Sequence, residues 1–158
     1  MNKVAVPGSF DPMTLGHFEI VKKCAAAFPE VVVIVADNAN KKYLFSAEQR
    51  VEIAKALCGE LPNVSVCYCD SYVVNFASSL GCKALVKGIR NETDLRYEMH
   101  IKRVNEELCP EVITLFMGAS DEYAELSSTK VRQMISENAD LCCAVGDKAA
   151  RLISEYAK

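Results

Sequence analysis

Five short apolar runs, each separated from the next by a stretch of helical periodicity, constrain this chain more than any other feature. Val4 to Val6, Val31 to Val35, Val64 to Cys67, Ala84 to Val86 and Ile113 to Phe116 are mostly rich in β-branched residues. Runs of this length and content read as strands buried on both faces. Between them, apolar residues recur at helical spacing. His17, Ile20, Val21, Cys24 and Phe28 share one face, as do Val51, Ala54 and Cys58, then Tyr97, Ile101, Val104 and Leu108. Ala149, Leu152, Ile153 and Tyr156 give a last helix its stripe, and Ser46 followed by Gln49 is a capping-box start. Strands alternating with helices imply right-handed crossovers and a parallel sheet. No linker, repeat or low-complexity stretch divides the chain. The expectation is a single α/β domain over residues 1–158, with a doubly wound, parallel, five-stranded sheet.

Composition narrows the function. A 51% hydrophobic and 25% charged chain of 158 residues suits a globular domain with a real core. A net charge of −3 gives no global basic field for nucleic acid. The local basic stretch at His100, Lys102 and Arg103 is interleaved with Glu98, Glu106 and Glu107. No apolar run approaches the ~18 residues of a membrane span, and Pro7 and Gly8 come too early for a secretory signal. A cytoplasmic protein with neither nucleic-acid nor membrane partner is expected. Of the eight cysteines, Cys24, Cys58, Cys82 and Cys109 are scattered, Cys67 and Cys69 alternate, and Cys142 and Cys143 are adjacent. With no C-x-x-C, and with His17 and His100 far apart, they read as reduced small hydrophobes, and no protein-held metal is expected.

Open α/β sheets bind ligands outside the carboxyl ends of their strands. There the sequence places Pro7-Gly8-Ser9-Phe10-Asp11-Pro12, Asp37-Asn38-Ala39-Asn40-Lys41-Lys42, Asp70-Ser71-Tyr72-Val73, Lys87-Gly88-Ile89-Arg90 and Met117-Gly118-Ala119-Ser120. Glycines, hydroxyls and cations therefore gather on one sheet edge. Thr14-Leu15-Gly16-His17 sits where the first loop enters the first helix. A helix start offers free N–H donors and the positive end of the dipole, which suits phosphate.

The string Pro7 to His17, the Lys87-Gly88-Ile89-Arg90 segment, Tyr97-Glu98-Met99 and Leu126-Ser127-Ser128-Thr129 occur in that order across nearly the whole chain. Together they resemble the bacterial phosphopantetheine adenylyltransferases of the T/H-x-G-H nucleotidyltransferase superfamily. The resemblance implies a Rossmann-like nucleotidyltransferase fold, with ATP and 4′-phosphopantetheine as substrates. It implies that Ser9 touches both substrates beside Phe10, that His17 holds the ATP α-phosphate, and that Lys41 holds the acceptor phosphate. By the same resemblance Val73 and Lys87 line the pantetheine site, while Gly88, Ile89, Arg90 and Glu98 line the nucleotide site. Tyr123, Ala124, Glu125, Leu126, Ser127, Ser128 and Thr129 close over the triphosphate. His17, Lys41 and Arg90 are the catalytic set it implies, with Mg²⁺ carried by ATP, feedback by coenzyme A and a homohexameric assembly.

Three positions depart from the family pattern. Lys87 stands where arginine is common and loses the bidentate fork. Ser9 stands where threonine is also common. Glu125, in a Tyr123-Ala124-Glu125 segment that replaces a more aromatic, uncharged stretch, is repulsive toward a triphosphate unless it points outward. Each candidate also has a plainer reading: an Arg90–Asp94 pair, a Glu98–Lys102 pair, a solvated loop at Lys41 and Lys42, and a helix cap at Ser127 to Thr129. The competing functions are a sister enzyme acting on nicotinate or nicotinamide mononucleotide, a cytidylyltransferase, and a nucleotide-binding sensor without chemistry.

Overall fold

The computed structural model describes residues 2–157. Five parallel strands form one sheet: β1 (Lys3–Gly8), β2 (Glu30–Ala36), β3 (Val64–Cys69), β4 (Ala84–Ile89) and β5 (Ile113–Gly118). Their order is β3-β2-β1-β4-β5. The chain winds outward from β1 through β2 to β3, then returns to β1's other side with β4. Neighbouring crossovers at β1 and β4 therefore lie on opposite faces, which opens a crevice at their carboxyl ends.

Helices cover both faces. α1 (Leu15–Ala27), α2 (Ala47–Cys58), α5 (Ser128–Ser136), α6 (Cys142–Val145) and α7 (Asp147–Tyr156) contribute to one core with Val4, Val6, Val31, Val33, Val35, Ala84 and Val86. α3 (Val73–Ser79) packs on the other face with Ala5, Val32, Ile34 and Leu85. α4 (Glu92–Leu108) lies against α3 and β4. The strand residues alternate between the two cores because side chains on a strand point alternately up and down. Cys24 and Cys58 sit in the first core; Cys69, Cys82 and Cys109 sit in the second.

The expected strands are all present, but each runs further at the carboxyl end. Pro7 and Gly8 belong to β1, Lys87 to Ile89 to β4, and Met117 and Gly118 to β5. So Lys87, Gly88 and Ile89 stand on a strand rather than in the loop after it. Alternation then separates them. A Cβ on Gly88 would lie 3.0 Å from Ile20 Cγ1, on the α1 side. Lys87 points to the opposite layer and meets Glu98 of α4. The expected apolar stripe on α4 does not enter the core: no residue of that helix is buried, and Tyr97 is 55% exposed.

Candidate active site

The Thr14-to-His17 motif is a capping box with histidine in the role usually taken by glutamate or glutamine. Thr14 is the N-cap of α1 and its hydroxyl accepts from the His17 N–H. In return His17 Nδ1 accepts from the Thr14 backbone N–H at 3.0 Å. Because Nδ1 is an acceptor, the ring proton sits on Nε2. Gly16 permits a close neighbour, since a Cβ there would lie 3.3 Å from Tyr123 Cβ. Phe10, at φ 48°, lays its ring edge-on against the imidazole, with centroids 5.2 Å apart.

Burial, reinforced by the charges of Arg90 and Lys87, holds His17 at about 4, down from the ordinary 6.5. The imidazole is therefore neutral at pH 7 and presents an N–H donor. The unfolded chain takes up the extra proton between those two values. Stability from this site is thus full above about 6.5 and falls as pH drops toward about 4. Nitrogen-15 NMR should find the Nε2–H tautomer from pH 6 to 8 and a midpoint near 4. An ordinary midpoint near 6.5 would contradict the half-buried, cation-flanked setting.

These groups open into a cavity of about 720 Å³ at the β1/β4 edge. It has the size of a small-molecule site. His17, Lys41 and Arg90 all line it, as do Ser9, Phe10, Val73, Lys87, Gly88, Glu98, Tyr123, Leu126, Ser127, Ser128 and Thr129. Ile89, Ala124 and Glu125 do not. The Ile89 carbonyl accepts from Ala119 N–H at 3.0 Å, and its side chain alternates away from Gly88. Ala124 ends the 3-10 turn Asp121–Tyr123. Glu125 is solvent-exposed and off the lining, so its charge is directed away from the cavity.

The cations differ in how far they are already engaged. Arg90 sets Nε and a terminal nitrogen on the two Asp94 oxygens, at 2.9 and 3.2 Å. Glu98 pairs with Lys87 at 3.2 Å and not with Lys102, the partner that helical spacing offers; Lys102 pairs with Glu106. Glu98 Oε2 is buried with no donor, as follows when one ammonium replaces an arginine fork. Lys41 and Lys42 make no salt bridge among the described residues. At the start of α5, Ser127 caps the helix through Lys130 N–H, and Ser128 Oγ donates to the Pro12 carbonyl at 2.8 Å. The cap and the cavity wall are the same residues.

Sequence reasoning passed over several residues that hold this geometry. Asp11 is 3% exposed and accepts the Leu44 and Phe45 N–H groups at 2.9 and 3.0 Å. Arg132 of α5 donates to the Asp11 carbonyl at 2.7 Å and also lines the cavity. Arg50 is buried at 1% exposure. A signal for it existed: Arg50, Ile53 and Ala54 are spaced i, i+3, i+4 and share the core face of α2.

Comparison with known proteins adds to this geometry. Residues 5–134 match the cytidylyltransferase-like family. A phosphopantetheine adenylyltransferase of Symbiobacterium thermophilum is 43% identical over 134 residues, covering 85% of this chain and 83% of that protein. One from Caldanaerobacter subterraneus subsp. tengcongensis is 38% identical over 158 residues, covering 99% of each. The chain belongs to the phosphopantetheine adenylyltransferase family. It is therefore a nucleotidyltransferase, and its fold is the Rossmann-like one of that group. A solved structure from Vibrio parahaemolyticus, described as a nicotinate-nucleotide adenylyltransferase, superposes with a TM-score of 0.74 at 16% identity, over 100% of this chain and 97% of that one. At that identity it speaks to the fold alone. In this phosphopantetheine adenylyltransferase family member, the T-x-G-H motif is thus both a helix start and a cavity wall.

Proposed function

We propose that this enzyme transfers AMP from ATP to the phosphate of 4′-phosphopantetheine, giving dephospho-coenzyme A and pyrophosphate. An oxygen of the acceptor phosphate attacks the α-phosphorus of ATP as the bond to the bridging β-oxygen breaks. The acceptor is already an anionic nucleophile, so no strong general base is needed. Catalysis rests on alignment and on neutralising charge that grows in the transition state.

The observation that carries this reading is the neutral His17, whose N–H donor shares a cavity with Lys41, Lys87 and Arg90. His17 donates to the α-phosphate, and Lys41 aligns the acceptor phosphate. Arg90 and the free N–H groups at the α5 start take the polyphosphate. Ser9 touches both substrates; Val73 and Lys87 serve the acceptor, and Phe10, Gly88 and Glu98 serve the nucleotide. Magnesium is treated as part of the nucleotide substrate, ligated by polyphosphate oxygens and water. The cavity carboxylates are already committed: Asp11 to backbone N–H groups, Asp37 to Arg50, Asp94 to Arg90 and Glu98 to Lys87. The enzyme works as one domain, in the cytoplasm; no helix among the described residues is long and apolar enough to cross a membrane. We further propose a homohexamer, for which the exposed Tyr97, Val104 and Leu108 offer an apolar stripe on one face of α4 and the exposed Leu95 and Met99 lie on another. Coenzyme A, which shares the pantetheine arm and the adenylate, competes for the same cavity.

The test is pyrophosphate release from ATP and Mg²⁺ with different acceptors. 4′-Phosphopantetheine should support turnover, and nicotinate mononucleotide should not. The reverse preference would assign the enzyme to the sister reaction, and no release with either would remove the chemistry altogether.

A further inference from the structure

We infer that Arg50 is a positioning residue, a buried cation outside the cavity that fixes where the Asp37–Phe45 loop presents Lys41. The inference rests on the reading of Lys41 as the acceptor-phosphate ligand. A buried guanidinium is costly unless its donors are met, and an apolar side chain would serve the core face of α2 as well. The Arg50 contacts instead run to the loops around the cavity. One terminal nitrogen donates to the Ser9 carbonyl at 2.9 Å and reaches the Ala36 carbonyl at 3.4 Å; the other binds the Asp37 carboxylate. The guanidinium carbon lies 4.0 Å from the centroid of the Tyr43 ring.

A continuous chain of contacts leads from there to Lys41. The Tyr43 hydroxyl accepts the Asn38 N–H at 2.6 Å, and the Asn38 carbonyl accepts the Lys41 N–H at 2.9 Å. At the far end of the loop, Asp11 holds the Leu44 and Phe45 N–H groups. The loop is thus pinned at both ends, with exposed Lys41 between the pins. The same arginine holds the Ser9 carbonyl, so two walls of the cavity are registered against one rigid group. Arg50 Nε is left buried without a partner. The head is thus oriented for the loop contacts even though one donor goes unmet. Lysine keeps the charge but has neither the fork nor the flat face.

The experiment is a double-mutant cycle on the full chain, with kcat and KM for both substrates, the equilibrium Kd for ATP, the melting temperature and an active-site titration. Arg50→Lys should lower kcat/KM for 4′-phosphopantetheine on the order of 10- to 100-fold, the scale of a misplaced reacting group. The ATP Kd should change by less than about threefold, since the loop carries no assigned nucleotide contact and Ser9, directly after β1, is held by that strand as well as by Arg50. In a Lys41→Ala background, adding Arg50→Lys should cost less than about twofold more, because two residues acting through one contact are not additive. A merely structural arginine would lower the active fraction equally in both backgrounds. Tyr43→Leu, which leaves the Arg50–Asp37 pair in place, should behave like Arg50→Lys and carries the test if the latter folds poorly. Independent, multiplying losses in the double variants, or wild-type kinetics in Arg50→Lys and Tyr43→Leu, overturn the inference. Wild-type kinetics in Lys41→Ala alone overturn the reading of Lys41 and this inference with it, and that single variant tells the two failures apart.

Discussion

His17→Gln should lower kcat by about 10²- to 10³-fold, the loss seen when one preorganised donor to developing charge is removed. Glutamine is the informative replacement because it is an ordinary capping-box residue at this helix position. Its side-chain oxygen can still accept the Thr14 N–H that His17 Nδ1 accepts now. The helix start then survives while the imidazole N–H aimed at the cavity is gone. ATP affinity should weaken by less than about tenfold, since the donor matters most where charge is greatest, in the transition state. His17→Ala should show the same loss of turnover together with a stability loss of about 0.5–2 kcal/mol from the missing cap. Steady-state kinetics beside equilibrium ATP binding and a melting curve separate the two effects. If His17→Gln keeps kcat within about threefold of wild type, the assigned role is wrong.

Lys41→Ala should raise KM for the acceptor and lower kcat, with kcat/KM falling by about 10- to 100-fold, the weight of one charge-assisted hydrogen bond to phosphate. The structure ranks this lysine above its neighbours for a physical reason. Arg90 and Lys87 already have carboxylate partners in the free protein, whereas Lys41 has none among the described residues. Its charge is uncompensated until an anion arrives. Lys42→Ala is the control, since Lys42 lines the same cavity; its effect should stay within a few-fold and shrink at higher ionic strength, as for a charge acting through solvent. Equal effects at the two positions would mean the loop supplies a diffuse positive field and not a placed ligand.

Much of this was legible in the sequence because strands buried on both faces announce themselves. Val31 to Val35 admits few other readings, and the alternation with helical stripes fixed the parallel sheet. Strand ends were less legible. Gly88 and Pro7 look like turn residues in isolation, yet the pairing of β4 with β5 extends to Ile89. α3 gave no sequence signal because it is short and its N-cap, Tyr72, makes no side-chain cap bond. The α4 stripe misled for a different reason: periodicity shows that a helix has an apolar face, not what covers it. Among the site residues, glycines, hydroxyls and the histidine were found because they belong to a loop-and-helix-start pattern with its own chemistry. Asp11 was missed because its partners are backbone N–H groups 33 and 34 residues away, and Arg50 because its partners are scattered over Ser9, Ala36, Asp37 and Tyr43. Such contacts exist only once β1 and β2 lie side by side.

The alternation of β4 sets up a partition. Lys87 and Gly88 are adjacent in the chain, yet one reaches the layer of α4 and the other the layer of α1. With the substrates assigned as proposed, a single strand touches the acceptor with one residue and the nucleotide with the next. A substitution at 87 then acts through the α4 layer, on Lys87 and its partner Glu98, and leaves the Gly88 face of the strand as it is. An inserted or deleted residue would have the opposite consequence, turning both contacts to the wrong layers together.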